Sequence, residues 1–187
     1  MKALLVSAHV RPNSLTKVAA DAFVQAAAAN GHEFEWASLV SDGFDPVLRE
    51  PDEPDWSNPD KVYSSQVIRE MERIERNQAT VVVFPVWWWS MPAILKGWID
   101  RVWNHGWAYG GRNYPHKRVW MIAIAGNKAS SYQERGYDTA MQIQLNTGIL
   151  GYCGIEDRRL DVLYGSIEGE PYPAQIIEDA RKIGASF

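Results

Sequence analysis

Short apolar segments rich in β-branched residues alternate along this chain with longer segments of helical period. This alternation constrains the fold more than any other feature, because strand, crossover helix and next strand is the pattern of a parallel sheet covered by helices. The strands it predicts are Ala3–Ala8, Glu33–Leu39, Thr80–Val86, Arg118–Ala125 and Leu160–Tyr164. Three of them read as continuous apolar runs, as strands covered on both faces do. Helices are expected at Leu15–Asn30, Pro59–Gln78, Pro92–Trp103, Glu134–Leu150 and Ala174–Ile183. The first is alanine-rich and stops at Asn30-Gly31, a favoured C-terminal signal. The third opens on Pro92 and places Ile94, Leu95, Trp98 and Val102 on one face. Such strict alternation predicts a doubly wound α/β domain.

A length of 187 residues is enough for one domain to bury a full core, so a single domain over residues 1–187 is expected. Lys plus Arg number 19 against 23 for Asp plus Glu, and the basic residues are scattered, which argues against a nucleic-acid partner or a polybasic membrane patch. The apolar stretch Ala3–Ala8 is too short for a signal-peptide core, and no apolar run approaches a membrane span. A single cysteine, Cys153, rules out an intrachain disulfide and reads as a buried core thiol. Together these features predict a cytoplasmic protein. The segment Asp42–Asp60, with four prolines and seven acidic residues, reads either as an arm that wraps a partner subunit or as a solvated loop.

In open α/β sheets the ligand lies beyond the carboxyl ends of the strands, where strand order reverses; for the order 2-1-3-4-5 this is between the first and third strands, where FMN is the known occupant. Two loops meet there. The first, HVRPNSLT from His9 to Thr16, offers Asn13, Ser14 and Thr16 beside the free N–H groups of a helix N-terminus, a phosphate site by charge and geometry. Plain helix capping by Ser14 or Asn13 accounts for the same residues. The chain has neither a GxGxxG fingerprint nor a GxxxxGK(S/T) loop, which argues against a dinucleotide-binding Rossmann domain and a P-loop NTPase.

The second loop, Pro85–Met91, opens a segment that holds six of the nine tryptophans. Trp87, Trp88 and Trp89 in succession cannot all enter one core, because neighbouring side chains diverge. At least one should face the crevice, and the run could equally form a hydrophobic dimer surface. After the fourth strand, Gly126 permits close approach to a ligand, and the Tyr132 hydroxyl could donate to developing negative charge.

The run PVWWWSMPAILKGWIDRVWNHGWAYG, within Phe84–Gly110, resembles the signature segment of the NAD(P)H dehydrogenase (quinone) family. The resemblance extends to LLVSAHVRPNSLTK, to FDPVL at Phe44–Leu48 and to GILGYCGIE at Gly148–Glu156. It implies a flavodoxin-like three-layer α/β sandwich whose five-stranded parallel sheet has the order 2-1-3-4-5. It also implies a tightly bound flavin, NAD(P)H as co-substrate, and a homodimer with active sites at the subunit interface. Carried over by position, His9, Asn13, Ser14, Leu15 and Thr16 would hold the flavin phosphate. Pro85, Val86, Trp88 and Trp89 would line the isoalloxazine, with Trp87 counted among the cofactor contacts but given no separate duty. Gly126 and Asn127 would meet the pyrimidine edge. Trp89 would also line the substrate pocket with Tyr109, which matches a tyrosine lent to the neighbouring subunit.

Tyr132 matches the family tyrosine credited with stabilising charge on the reduced flavin. Mammalian members pair it with a histidine six residues later, where this chain has Asp138 preceded by Tyr137. A carboxylate does not donate unless protonated, so the second catalytic role passes to Tyr137 or to a water. The FDPVL segment resembles FAD-binding members and favours FAD over FMN, although the short tail after the fifth strand leaves less protein to hold an adenosine.

The expected function is ping-pong: hydride passes from NAD(P)H to the flavin, and a quinone then takes both electrons. The alternatives are a reductase of free flavin, azo or nitro compounds, a one-electron carrier of flavodoxin type, and a regulatory subunit of a membrane transporter. His105, His116 and Asp100 have no metal-ligand spacing, so no metal site is expected. Lys96 and Asp100 should form a surface pair, and Arg101 should join two subunits. Trp98 is assigned to the helix core, and Trp103 and Trp107 to the dimer.

Overall fold

The computed structural model describes residues 1–58 and 60–187. Five strands, β1 (Lys2–Ser7), β2 (Glu33–Ser38), β3 (Ala79–Pro85), β4 (Arg118–Ile124) and β5 (Asp157–Leu163), form a parallel sheet in the order β2-β1-β3-β4-β5. The order is the one expected, with its reversal between β1 and β3. Leu5 is level with Val81, and Val82 with Met121. Every residue of β3 is buried, which is why that strand is apolar but for Thr80, whose hydroxyl is hydrogen-bonded. β5 begins three residues before its apolar pattern does. It is an edge strand, and its charged start is held by ion pairs, Arg118–Asp157 at 2.5 Å and Arg159–Asp161 at 2.6 Å.

The period-2 alternation of the strands divides the interior into two cores. Leu5, Val81, Val83 and Ile122 face α1 (Leu15–Ala29) and α6 (Tyr172–Ala185). Leu4, Val82, Phe84 and Met121 face α2 (Ser65–Glu75), α3 (Ala93–Val102) and the helical stretch beyond β4. That stretch is not the single helix expected over Glu134–Leu150. It comprises α4 (Ala129–Glu134) and α5 (Tyr137–Met141), which runs on into π-helical turns over Gln142–Gly151. The break falls at Gly136, whose φ of +68° is left-handed. The expected start of the second helix, Pro59, lies outside the described residues. Helix α2 begins only at Ser65; the hydroxyl of Ser64, at the N-cap, donates to Asp52 (2.9 Å) and makes no capping bond.

The acidic, proline-rich segment lies on its own chain. Pro46 passes so close to α3 that a Cβ on Gly97 would stand 2.1 Å from the Pro46 carbonyl oxygen. Arg101 of α3, 4% exposed, donates to Asp52 Oδ2 at 2.7 Å, to Gln66 Oε1 at 2.6 Å and to the Asp45 carbonyl. Burial pushes the Asp52 carboxyl up, but hydrogen bonds from Arg101 and Ser64 outweigh it and hold the group below the usual carboxylate range. A charge this deeply buried needs its partner, so Arg101 clamps the segment within one chain and is not the intersubunit contact expected. Val47, Leu48 and Trp56 remain exposed on that segment.

Three further expectations resolve in the core. Trp98 is fully buried and donates to Glu70 at 3.0 Å. Trp103, assigned above to the dimer, is 4% exposed and stacks on Tyr114 with centroids 4.3 Å apart. It belongs to the core. His116 is buried; its Nε2 faces the carbonyls of Ile74 and Asn77, and its Nδ1 faces Thr80 Oγ1 at 2.8 Å. Desolvation lowers its pKa, which keeps the ring neutral in a structural network. Lys96 and Asp100 form the expected surface pair at 2.5 Å.

Candidate active site

The loop after β1 leads directly into α1. Ser14 caps α1, its Oγ accepting from Lys17 N at 3.2 Å, as the capping reading requires. The N–H groups of Leu15 and Thr16 nevertheless have no acceptor among the described residues, and the first turn carries no acidic side chain. Capping by Ser14 therefore leaves two N–H donors free at this terminus. The Arg11 N–H donates to His9 Nδ1 at 2.9 Å, which places the proton of the neutral ring on Nε2. Burial, and then the charge of Arg11, lower the His9 pKa, so near neutral pH the ring is an uncharged donor.

These groups open on a crevice of about 370 Å³ at the β1/β3 reversal. His9, Leu15 and Thr16 line one side, and Pro85, Val86 and Trp87 the other. Gly126, after β4, closes the far end with Ile167. A Cβ on Gly126 would come no nearer than 3.5 Å to Ile167, so the chain's own packing does not exclude a side chain there; it would simply take space from the crevice. Arg11 and Ser166 also line the crevice and were not anticipated. Ser166 follows the edge strand without any local motif to mark it. Asn13 is exposed at the rim and lines no cavity described here, while a smaller cavity of about 100 Å³ runs from Ser14 past Lys17 to Ser38 and Ser41.

The three tryptophans diverge because of the backbone that carries them. Trp87 N–H bonds the Ser90 carbonyl at 3.0 Å, and Ser90 N–H bonds that of Trp87 at 3.1 Å. Between them Trp88 and Trp89 have φ of +52° and +55°. This is the pattern of a two-residue type I′ turn, which favours Asn-Gly and costs other residues roughly 1–2 kcal/mol each. Trp87 turns into the crevice, with its ring 6.2 Å from that of His9. Trp88 projects outward, 87% exposed, and lines neither cavity of the site. Trp89 turns the other way, onto Tyr137.

A second cavity of about 240 Å³ adjoins the first, since Gly126 lines one and Asn127 the other. Its walls are Trp89, Asn127, Tyr132 and Tyr137, with Ser131 and Arg135 at the α4 side. The Tyr132 ring is 5% exposed, and its hydroxyl bonds nothing else among the described residues. Burial pushes its pKa up, so the phenol stays protonated and can donate. Asp138 lines neither cavity; its Oδ1 accepts from Thr139 N at 2.8 Å. No carboxylate lines either cavity, so neither repels a phosphate or a ring that gains negative charge.

Tyr109 is not brought to this site within one chain. It lines a separate cavity of about 340 Å³ with Leu48, Trp103 and Tyr152. Its ring lies 5.5 Å from that of Tyr152 and 5.8 Å from that of Trp56. Trp107 is half-buried and donates to Glu75 at 2.7 Å.

Comparison with known proteins agrees with this geometry. The family model described as flavodoxin-like fold matches residues 1–186. An uncharacterized NAD(P)H oxidoreductase of Escherichia coli, YcaK, is 40% identical over 164 residues, covering 87% of this chain and 83% of that protein. The NAD(P)H dehydrogenase (quinone) 1 of Cavia porcellus is 26% identical over 188 residues, covering 88% of this chain and 68% of its own length. Among solved structures, an NAD(P)H:quinone oxidoreductase from Methanothermobacter marburgensis superposes with a TM-score of 0.92 at 27% identity, over 100% of this chain and 95% of that one. The chain belongs to the flavodoxin-like family and is an oxidoreductase of its NAD(P)H oxidoreductase and quinone reductase group.

Proposed function

We propose that this protein is a flavin-dependent NAD(P)H:quinone oxidoreductase working by a ping-pong cycle. The observation that carries the reading is the pair of adjoining, carboxylate-free cavities, one ending on the free N–H groups of α1 and the other holding the unpartnered Tyr132 hydroxyl. A bound flavin would supply the hydride-accepting and hydride-donating chemistry. The Leu15 and Thr16 N–H groups and His9 Nε2–H would hold its phosphate. Pro85, Val86 and Trp87 would exclude water along its ring, and Gly126 and Asn127 would admit its pyrimidine edge. Tyr132 O–H is placed to donate where negative charge develops. Trp89 and Tyr137 offer a planar acceptor an aromatic wall.

The hydroxyl-rich extension toward Ser38 and Ser41 supports FAD over FMN, because it continues beyond the phosphate site. Leu48, Trp56 and Tyr152 form an exposed apolar surface around Tyr109. In this reading a second copy covers that surface, and Tyr109 serves the partner's substrate pocket. No described helix is long and apolar enough to cross a membrane, and a cytoplasmic site of action, where NAD(P)H is supplied, completes the reading.

Initial rates with NADH or NADPH varied against a benzoquinone test it. Parallel double-reciprocal lines are expected, and intersecting lines contradict the ping-pong order. Fast reduction of free FMN or an azo dye with negligible quinone turnover overturns the choice of acceptor.

A further inference from the structure

Arg135 stands beside the 240 Å³ cavity with its charge unanswered. Two other cations near the site are paired, Lys17 with Asp21 at 2.5 Å and Lys128 with Glu168 at 3.7 Å, while Arg11 lines the first crevice and not this cavity. Among the described residues no carboxylate lies within 4.0 Å of the Arg135 guanidinium; Asp138, three residues on, caps Thr139 instead. Arg135 Nη1 donates to the Ser131 carbonyl at 3.1 Å and to Ser131 Oγ at 2.7 Å. Those two bonds fix the guanidinium at the end of α4, and its Nε and Nη2 donors stay free.

The rings of Trp89 and Tyr137, which lie against each other, line this cavity together with the cation, and Tyr132 meets Tyr137 edge-on. The volume falls below the roughly 300–1,000 Å³ of a drug-sized pocket, and in the reading above the flavin's pyrimidine edge takes part of it, so the space left suits an acceptor no larger than one or two fused rings. An aromatic wall binds any planar ring. A guanidinium with two free donors discriminates among them, because it engages a carboxylate or sulfonate in the bidentate manner open to few other groups.

We propose that Arg135 is a specificity-determining residue, which makes this cavity select planar acceptors bearing a carboxylate or sulfonate over their neutral parents. The proposal rests on the reductase reading above, because the acceptor must reach this cavity to be reduced. Binding of an inert anionic ring tests it separately from turnover.

Two measurements are made on the flavin-loaded protein and on its Arg135→Gln and Arg135→Lys variants. The first is the ratio of kcat/KM for 1,4-naphthoquinone-2-sulfonate to that for 1,4-naphthoquinone. The second is the affinity for naphthalene-2-sulfonate by calorimetry. Arg135 is exposed, so its removal leaves the core intact. Arg135→Gln is expected to lower both the ratio and the affinity about tenfold, Arg135→Lys to restore part of each, and added salt to shrink the difference. An unchanged ratio with unchanged affinity overturns the proposal. So does a fall in kcat/KM for NAD(P)H that matches the fall for the sulfonate, which gives the guanidinium to the nucleotide phosphates. A protein that reduces neither quinone, yet loses naphthalene-2-sulfonate affinity tenfold on Arg135→Gln, contradicts the reductase reading and supports the anion site.

Discussion

The ring of Trp89 lies against that of Tyr137, with centroids 4.3 Å apart and planes inclined by 36°. Two separate backbone features make the contact. Trp89 is aimed by the left-handed turn after β3, and Tyr137 by the chain reversal at Gly136 after α4. The stack joins the loops at the carboxyl ends of β3 and β4 into one wall, and the second cavity of the site opens beside it.

Tyr132 is the donor of that cavity. Tyr132→Phe removes the hydroxyl and keeps the buried ring, so flavin retention should persist. The rate of anaerobic reduction by NAD(P)H should fall by about tenfold or more, given that a lost donor to developing charge can cost ~10²–10³ in rate. Stopped-flow traces that superpose with those of the unaltered protein remove Tyr132 from the mechanism.

Trp88 occupies a left-handed position and buries little of its ring. Asparagine tolerates that conformation, so Trp88→Asn should stabilise the protein by about 0.5–1 kcal/mol in urea unfolding. A lower unfolding midpoint means that the indole makes contacts which outweigh the turn's preference.

Trp103 packs on Tyr114 and Trp98 inside the core. Its Nε1 has no hydrogen-bond partner among the described residues, so truncation forfeits packing alone. Trp103→Ala is expected to cost about 3–5 kcal/mol of stability. If stability is preserved while the sedimentation coefficient shifts, Trp103 belongs to a subunit interface after all.

Glu35 receives hydrogen bonds from Arg76 and Asn77, which, against some desolvation, lower its pKa from 4.5 to about 2. A carboxylate depressed on folding contributes stability at pH above its unfolded value, and that contribution disappears as pH falls through its folded value. Stability should therefore decline between about pH 4.5 and 2, and Glu35→Gln should flatten that slope. Equal slopes for the two proteins in urea titrations across this range show that Glu35 is not responsible.

Strand positions were legible because burial on both faces of a parallel sheet forces largely apolar runs such as Ala79–Pro85, whereas the strand order, and with it the place of the two loops at the reversal, came from the family resemblance. The start of β5 was not, since its charged residues are permitted by an edge position that no local pattern announces. The outward direction of Trp88 within one chain was not legible for a conformational reason: side-chain direction in the Trp87–Ser90 turn depends on positive φ at two residues that usually avoid it. Arg101 was given to an interface because its partner Asp52 is remote in sequence. Arg135 escaped notice altogether, since an exposed arginine ending a helix looks like any solvated charge until Trp89 and Tyr137 are seen beside it.

The central claim is that the crevice between the loops after β1 and β3 holds a flavin that NAD(P)H reduces and a quinone reoxidises. Protein incubated with FMN or FAD, freed of unbound flavin by gel filtration and titrated without oxygen measures it directly. The account predicts one flavin retained per chain, its visible absorption bleached by NAD(P)H and restored by a benzoquinone. A protein that emerges colourless after exposure to both flavins contradicts it.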